Sequence, residues 1–236
     1  MDLQSYFRVP VKQIEQDIFT VQNFVNKKNG YDSISKFYDV VVGSRLYNKI
    51  MWGNDISDYT DFGKKAVENT KDVLIDAGCG SLNFTLETYL KAGCNIILID
   101  NSIEMLRICR DKLSPSEKLG KSIFCVHGDL LKLPLANNKI DTILSMGMMH
   151  LFENKQVLEI LKSFEQGLIP CGKIYLSSLK PQTKFTKKYM QLLYKKGEVA
   201  KPREANELCN LIKRCIEGKI DEYLIGSMLY QTVFKA

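Results

Sequence analysis

The residues best suited to chemistry follow two short apolar runs. Residues 73–75 are apolar and are followed by Asp76 and a small-residue loop that contains Gly78 and Gly80. Glycine allows positive φ and lets the backbone approach a ligand, and a helix that starts after such a loop offers unpaired N–H groups to it. A tight strand–helix turn would need the same glycines, so the loop alone leaves both explanations open.

A second acid favours a ligand. Residues 96–99 form another apolar run, and Asp100 follows it 20 residues after Gly80. At this spacing a carboxylate binds the ribose hydroxyls of a nucleoside. A surface acid could stand there by chance, but Asp76, both glycines and Asp100 together predict a ligand that contains adenosine.

Two families share this layout, and the details of the loop separate them. A nicotinamide-nucleotide domain has a third glycine where this chain has Asn83, and Asp76 would repel its diphosphate. Residues 76–81, Asp-Ala-Gly-Cys-Gly-Ser, instead resemble motif I of class I S-adenosylmethionine methyltransferases, and residues 100–102 resemble their second motif. The resemblance covers roughly residues 31–178 and is strongest to small-molecule members, of the methyltransferase type 11/25-like kind.

This resemblance implies S-adenosyl-L-methionine as cofactor. The family places an acid near the adenine amino group, here in residues 127–130, and its methionine moiety beside residues 141–149. The Tyr-Asp pairs of residues 31–32 and 38–39 resemble an N-terminal segment of small-molecule members. Leu82 stands where the family commonly has a third glycine, which would crowd the loop. The cofactor contacts implied by the resemblance are Tyr38, Asp76, Gly78, Cys79, Gly80, Asp100, Asn101, Met105, Asp129, Leu130 and Met146.

His150 is the candidate catalytic residue. It follows the apolar run of residues 142–144, the fourth along the chain, whose end would lie beside the methionine group. Its ordinary pKa of about 6.5 suits proton removal near neutrality. A structural histidine would fit the same position. Asp129 could equally cap a helix, and Tyr38 could be a core residue.

The rest of the pattern predicts how these residues are positioned. Five apolar runs alternate with amphipathic segments, which indicates β-α-β units. Two further runs, residues 222–225 and 228–234, flank Gly226-Ser227 as a hairpin would. We therefore expect an α/β fold: a Rossmann-like, doubly wound, seven-stranded sheet, mostly parallel, with a C-terminal antiparallel hairpin and helices on both faces.

We expect one domain, residues 1–236, with three parts. Residues 1–53 would form a helical lid, because Ile14, Ile18, Val21 and Val25 recur at helical spacing and aromatic residues follow. Residues 54–178 would form the cofactor-binding core, and residues 179–236 would supply cap helices and C-terminal strands. The basic stretch 180–203 would belong to the cap over the acceptor or to a solvated face.

Composition restricts the partners. The formal net charge of +6 permits an anionic partner, but the lysines are scattered, which does not favour a nucleic acid. None of the seven cysteines has the C-x-x-C spacing of a zinc or redox site, so we expect no metal and a reduced, cytoplasmic chain without a membrane segment. We expect a monomer or homodimer that acts on a small-molecule acceptor.

Two rival functions stay open. An RNA or protein methyltransferase is one; an RNA cytosine enzyme would use a Pro-Cys pair, and Pro170-Cys171 exists but precedes the fifth run, which is the wrong place. A protein that binds the cofactor without catalysis is the other. Neither the acceptor nor the methylated atom follows from the sequence.

Overall fold

The computed structural model describes residues 1–22, 44–203 and 206–236. Tyr38 and the Tyr-Asp pairs of residues 31–39 lie outside these ranges. The strands are β1 (Lys12–Glu15), β2 (Ile18–Thr20), β3 (Val73–Ala77), β4 (Asn95–Asp100), β5 (Ile123–His127), β6 (Ile140–Met146), β7 (Leu168–Leu179), β8 (Gly218–Ile225) and β9 (Met228–Lys235). The α-helices are α1 (Arg45–Tyr47), α2 (Ile56–Glu68), α3 (Leu86–Lys91), α4 (Ile103–Leu113), α5 (Asn154–Gly167), α6 (Lys184–Lys195) and α7 (Glu207–Cys215).

In the described part of the chain these strands form one nine-stranded sheet in the order β1-β2-β5-β4-β3-β6-β7-β9-β8. The strands from β2 to β7 run parallel, and β9 pairs antiparallel with β7 and with β8. The predicted parallel sheet with a C-terminal hairpin is confirmed. The strand count is nine rather than seven, because the N-terminal hairpin β1–β2 extends the sheet.

Alternate side chains of the central strands pack on opposite faces of the sheet. Val73 and Ile75 belong to a core beneath α5 and α7, whereas Leu74 belongs to a core beneath α2, α3 and α4. This two-residue alternation is the geometry of a strand that is buried on both sides. Helices therefore cover both faces, as predicted.

The helix predicted from Ile14 and Ile18 is wrong, because residues 12–20 form the β1–β2 hairpin. The turn includes Asp17 at φ 57°, a conformation that Asp tolerates better than most residues. The hairpin folds Ile14 back toward Ile18, so both side chains pack in the same core. The four-residue spacing of Ile14 and Ile18 therefore reflects a tight β-turn between two strands and not one turn of a helix.

Residues 47–52 and 189–199 pack together near the carboxyl end of β7, and we refer to these two segments as the cap. Trp52, Met190 and Val199 share a small apolar cluster, and the Trp52 and Tyr189 ring centroids lie 5.5 Å apart. A hydrogen bond from the Ser227 amide to the Trp52 carbonyl, 2.6 Å long, ties this cap to the β8–β9 turn.

Among the described residues, no helix combines the length and the apolar character that crossing a membrane would require.

Candidate cofactor-binding and active site

The polar residues singled out above converge because parallel strands end at the same edge of the sheet. Asp76 lies near the end of β3, Asp100 ends the adjacent β4, and His127 ends β5 directly opposite Asp100. Met146 ends β6 on the other side of β3. Ligands of open α/β sheets bind at this carboxyl edge.

Asp100 organises the glycine loop through its two carboxylate oxygens. Its Oδ2 atom accepts a hydrogen bond from the Gly80 amide at 2.9 Å, and its Oδ1 atom accepts one from the Ser102 amide at 2.8 Å. Ser102 in turn caps α4 by accepting from the Met105 amide at 3.3 Å. One carboxylate therefore joins the loop after β3 to the start of α4, which no isolated surface acid would do.

Asp76 is a buried carboxylate. It is 2% exposed, and its Oδ2 atom accepts a 2.7 Å hydrogen bond from the Tyr89 hydroxyl. Burial, reinforced by the negative charge of Asp100, raises the pKa of Asp76 to about 7, although the Tyr89 hydrogen bond opposes the rise. A cation beside such a buried carboxylate strongly stabilises its ionised form.

The loop uses both glycines for conformations that other residues rarely adopt. Gly78 has φ +84° and Gly80 has φ +54°. A Cβ at Gly78 would lie within 2.6–2.8 Å of the Met148 side chain, whereas a Cβ at Gly80 would meet open space. Gly78 is thus required by packing and by φ, and Gly80 by φ alone.

Leu82, which stands where the family commonly has a third glycine, adopts a left-handed backbone conformation. It has φ +62°, and its side chain is 2% exposed in the core beneath α2, α3 and α4. The side chain therefore points into the core and does not crowd the loop. The cost is strain of roughly 1–2 kcal/mol for a left-handed residue with a Cβ.

Asp129 does cap a helix, as the simpler reading proposed. Its Oδ1 atom accepts from the Leu131 amide at 3.0 Å at the start of a 3₁₀ turn, Leu130–Lys132. The Asp129 amide donates to Oε1 of Gln22 at 3.3 Å. Gln22 also lies 3.5 Å from Oδ1 of Asn101, so the loops after β4 and β5 meet at this side chain.

The remaining predicted contacts surround the loop. Met105 and Leu130 are buried, while Cys79 and Met146 are partly buried. Burial and the neighbouring Cys109 raise the pKa of the Cys79 thiol, so Cys79 stays protonated at neutral pH and acts as a packing residue. The Cys109 thiol donates to the Gly80 carbonyl at 2.9 Å, a contact that no local sequence pattern predicts.

His150 lies beyond β6 in a short 3₁₀ turn, Met149–Leu151. Its Nδ1 atom accepts a long, 3.5 Å hydrogen bond from the Leu179 amide, and its carbonyl accepts from the Ala200 amide at 3.0 Å. Burial, followed by the charge of Arg203, lowers the pKa of His150 to about 4, so the imidazole is neutral at pH 7.

A cleft of about 490 Å³, partly open to solvent, opens beside His150 between β7, β9 and the cap. Arg203 closes one side by donating to the Met149 carbonyl at 2.7 Å and to Oδ1 of Asn154 at 2.8 Å. The cleft is lined by residues that include Lys180, Met190, Arg203, Glu222 and Gln231. Cys171 lies at the amino end of β7, the edge of the sheet away from these residues.

Comparison with known proteins agrees with this geometry. Residues 74–172 match a family model described as a methyltransferase domain. The chain is 25% identical over 185 residues to an uncharacterized methyltransferase of Oceanobacillus iheyensis, which covers 75% of this chain and 83% of the relative. It is 28% identical over 108 residues to a carboxy-S-adenosyl-L-methionine synthase of Pseudomonas putida, which covers 44% of this chain and 42% of that relative.

A solved structure shares the fold across nearly the whole chain. It is a putative S-adenosyl-L-methionine-dependent methyltransferase of Methanococcus maripaludis, with a TM-score of 0.62 and 17% identity. The likeness covers 91% of this chain and 98% of that one.

The residues at the carboxyl edge suit the cofactor of such proteins. S-adenosylmethionine carries a sulfonium, an ammonium and a carboxylate group, together with a ribose that has two hydroxyls. Buried Asp76 is a counter-charge of the kind that an ammonium group needs, and Asp100 is an acceptor of the kind that ribose hydroxyls need. The glycines leave room for close backbone approach. Together with the match of residues 74–172 to a methyltransferase domain and with the Rossmann-like fold, these features indicate an S-adenosylmethionine-dependent methyltransferase domain.

Proposed function

We propose that this chain transfers the methyl group of S-adenosylmethionine to a small-molecule acceptor. The observation that carries the proposal is the Asp100 carboxylate, which accepts from the Gly80 amide while ending the strand next to Asp76. This contact places two acids and the glycine loop in one crevice. A structural turn would not require the second acid at that point.

Each residue at the edge then has a task. Asp100 binds the ribose hydroxyls, Asp129 and Leu130 bind the base, and Asp76 faces the ammonium group. The methionine part lies along the loop, and its remaining contacts come from Gly78, Cys79, Gly80, Asn101, Met105, Met146 and, in the segment outside the described residues, Tyr38.

The chemistry asks little of the protein beyond alignment. The sulfonium methyl is already activated, so the chain must hold donor and acceptor in line and keep water away. A hydroxyl acceptor must also lose a proton. His150 is neutral at pH 7 and could accept that proton, although its lowered pKa makes it a weak base.

The cleft beside His150 supports a small acceptor. It is concave, partly open to solvent and lined by both polar and apolar side chains, as sites for small molecules usually are. It follows β6 and β7, so an acceptor there would lie on the methionine side of the cofactor.

Two measurements test the proposal. Thermal-shift titration should show stabilisation by S-adenosylmethionine or S-adenosylhomocysteine and none by a nicotinamide nucleotide. The Asp100→Asn variant should bind the cofactor at least about tenfold more weakly, since it loses charge-assisted hydrogen bonds worth about 1.5–3 kcal/mol. Stabilisation by the nicotinamide nucleotide alone would refute the proposal.

The acceptor requires a product screen. Purified protein, S-adenosylmethionine and a metabolite extract should release S-adenosylhomocysteine and a methylated small molecule. A labelled RNA or protein product instead would support the rival class of methyltransferase, and binding without turnover would support a non-catalytic protein.

A second candidate function is carboxylation of the cofactor by a carboxyl donor from the extract, favoured by the partial match to a carboxy-S-adenosyl-L-methionine synthase. Mass spectrometry of the same reactions separates the two functions. Carboxy-S-adenosylmethionine would accumulate in one case, and S-adenosylhomocysteine with a methylated acceptor in the other.

A further inference from the structure

Gln22 emerges at the cofactor edge of the sheet although it lies far from the motifs in sequence. Strand β2 pairs parallel with β5, with Thr20 opposite His127. The carboxyl end of β2 therefore meets the same edge as the ends of β4 and β5. Gln22 follows this end, so the N-terminal hairpin delivers one carboxamide to the crevice.

This carboxamide lies between the two loops assigned to the base and the ribose. Its Oε1 atom accepts from the Asp129 amide at 3.3 Å. Its Nε2 atom lies 3.5 Å from Oδ1 of Asn101 and 3.3 Å from each ring nitrogen of His127. All four distances are at the long end for hydrogen bonds, so the carboxamide can exchange these partners at little cost.

We propose that Gln22 recognises the adenine base of the cofactor, an inference that rests on the proposed function. On its N6/N7 edge, adenine presents an amino donor beside the N7 acceptor. A glutamine carboxamide matches both at once, and this is the pairing by which proteins read adenine elsewhere. Hypoxanthine presents two acceptors on this edge, O6 and N7, so a carboxamide held there meets one acceptor–acceptor clash. Gln22 is thus a specificity-determining residue contributed by the N-terminal hairpin.

Calorimetric binding of S-adenosylhomocysteine and S-inosylhomocysteine tests this role. The unaltered chain should prefer the adenine compound by about tenfold or more, the discrimination that a good bidentate contact provides. Gln22→Ala should weaken S-adenosylhomocysteine about tenfold and reduce the preference to within about threefold. Gln22→Glu should also bind it more weakly, because a carboxylate cannot donate to the ring nitrogen.

Gln13→Ala is the matched control, since Gln13 is an exposed glutamine in the neighbouring strand β1. It should leave both affinities unchanged, and thermal unfolding of all variants should confirm an intact fold. The inference is overturned if Gln22→Ala keeps the full preference for the adenine compound. If the unaltered chain binds neither compound, the proposed function itself fails, so the two failures are distinguishable.

Discussion

At the residue scale, Asp76 differs from an ordinary surface carboxylate. It combines nearly complete burial with a hydroxyl donor from Tyr89, and its pKa of about 7 leaves it partly protonated at neutral pH. A cation that binds beside it lowers this pKa again, so binding expels a proton. If the ammonium group of the cofactor binds beside Asp76, as proposed, cofactor binding and ionisation of Asp76 are coupled.

We expect S-adenosylhomocysteine binding to release a proton near pH 6.5 and almost none near pH 8.5, where Asp76 is already ionised. Calorimetry in buffers with different ionisation enthalpies measures this number of protons. Asp76→Asn should abolish the release and weaken binding. Equal proton release by Asp76→Asn and the unaltered chain would place the titrating group elsewhere.

At Leu82, the strain of a left-handed backbone opposes the stabilisation from a buried side chain. Leu82→Gly removes roughly 1–2 kcal/mol of left-handed strain, but loss of a buried leucine costs about 2–5 kcal/mol. Burial wins, so we expect a net loss of about 2 kcal/mol in urea unfolding. Gly80→Ala is the comparison: its Cβ meets open space at φ +54°, so it should cost only about 1–2 kcal/mol of strain. A more stable Leu82→Gly protein would show that strain dominates.

The lowered pKa of His150 leads us to expect an unusual pH–rate profile. If it accepts the acceptor's proton, kcat should fall roughly a hundredfold or more in both His150→Ala and His150→Gln, with cofactor affinity unchanged. Because its pKa is lowered to about 4, activity should stay level from pH 8 down to about 5. Near-normal turnover in both variants would make His150 structural and leave alignment as the mechanism.

At the element scale, the N-terminal hairpin is held to α4 by an ion pair. Nε of Arg107 donates to Oε2 of Glu15 at 3.0 Å, and Nη1 of Arg110 lies 3.5 Å from the same oxygen. The Arg107 hydrogen bond lowers the pKa of Glu15. This contribution to stability is present above the ordinary Glu pKa of about 4.3 and is lost as the pH falls through the lowered value.

Glu15→Gln should therefore destabilise the protein by about 1 kcal/mol, a value kept small because both side chains are partly exposed. Amide hydrogen exchange of residues 18–20 should speed up as the hairpin loosens. Glu68→Gln, which breaks an exposed pair with Lys64 on α2, should change neither quantity. Unaltered exchange in Glu15→Gln would mean that sheet pairing alone holds the hairpin.

The same hairpin limits what deletion of the N-terminal segment could test. A lid stays a prediction for the rest of residues 1–53, but residues 12–20 belong to the sheet, so their removal would expose the edge of β5. A shortened chain that lost activity would then report an altered fold as much as a missing lid. Single substitutions at the edge, as at Gln22, separate these effects.

At the scale of the whole molecule, Asp76 and His150 have opposite effects on how stability changes with pH. The raised pKa of Asp76 makes the folded state bind more protons, so stability falls as the pH rises from about 4 to 7. The lowered pKa of His150 makes the unfolded state bind more protons, so stability rises from pH 4 to about 6.5. Across this window the two contributions cancel in part.

Asp76→Asn should expose the His150 contribution. Its free energy of unfolding should rise with pH by on the order of 2–4 kcal/mol between pH 4 and 6.5, whereas the unaltered chain changes less. His150→Gln should show the opposite slope. Urea denaturation at a series of pH values measures both, and identical slopes in the two variants would contradict the assignment.

Local sequence patterns are enough to predict the repeating core of this protein. Alternating apolar runs and amphipathic segments predict β-α-β units because buried parallel strands and their covering helices each leave a distinct local pattern. The positions of Asp76, Gly78, Gly80 and Asp100 followed from that order, since acids and glycines after parallel strands share one edge of the sheet. The C-terminal hairpin was equally local.

Other properties depend on contacts between residues that are distant in sequence, and local sequence patterns do not show such contacts. Ile14 and Ile18 share a core through a turn, which their spacing does not distinguish from a helix. Gln22 reaches the crevice only because β2 pairs with β5, a contact across more than a hundred residues. The pKa of His150 depends on burial and on Arg203 beside it, which the chain assembles only when folded. Partners distant in sequence, and the burial they create, set these properties.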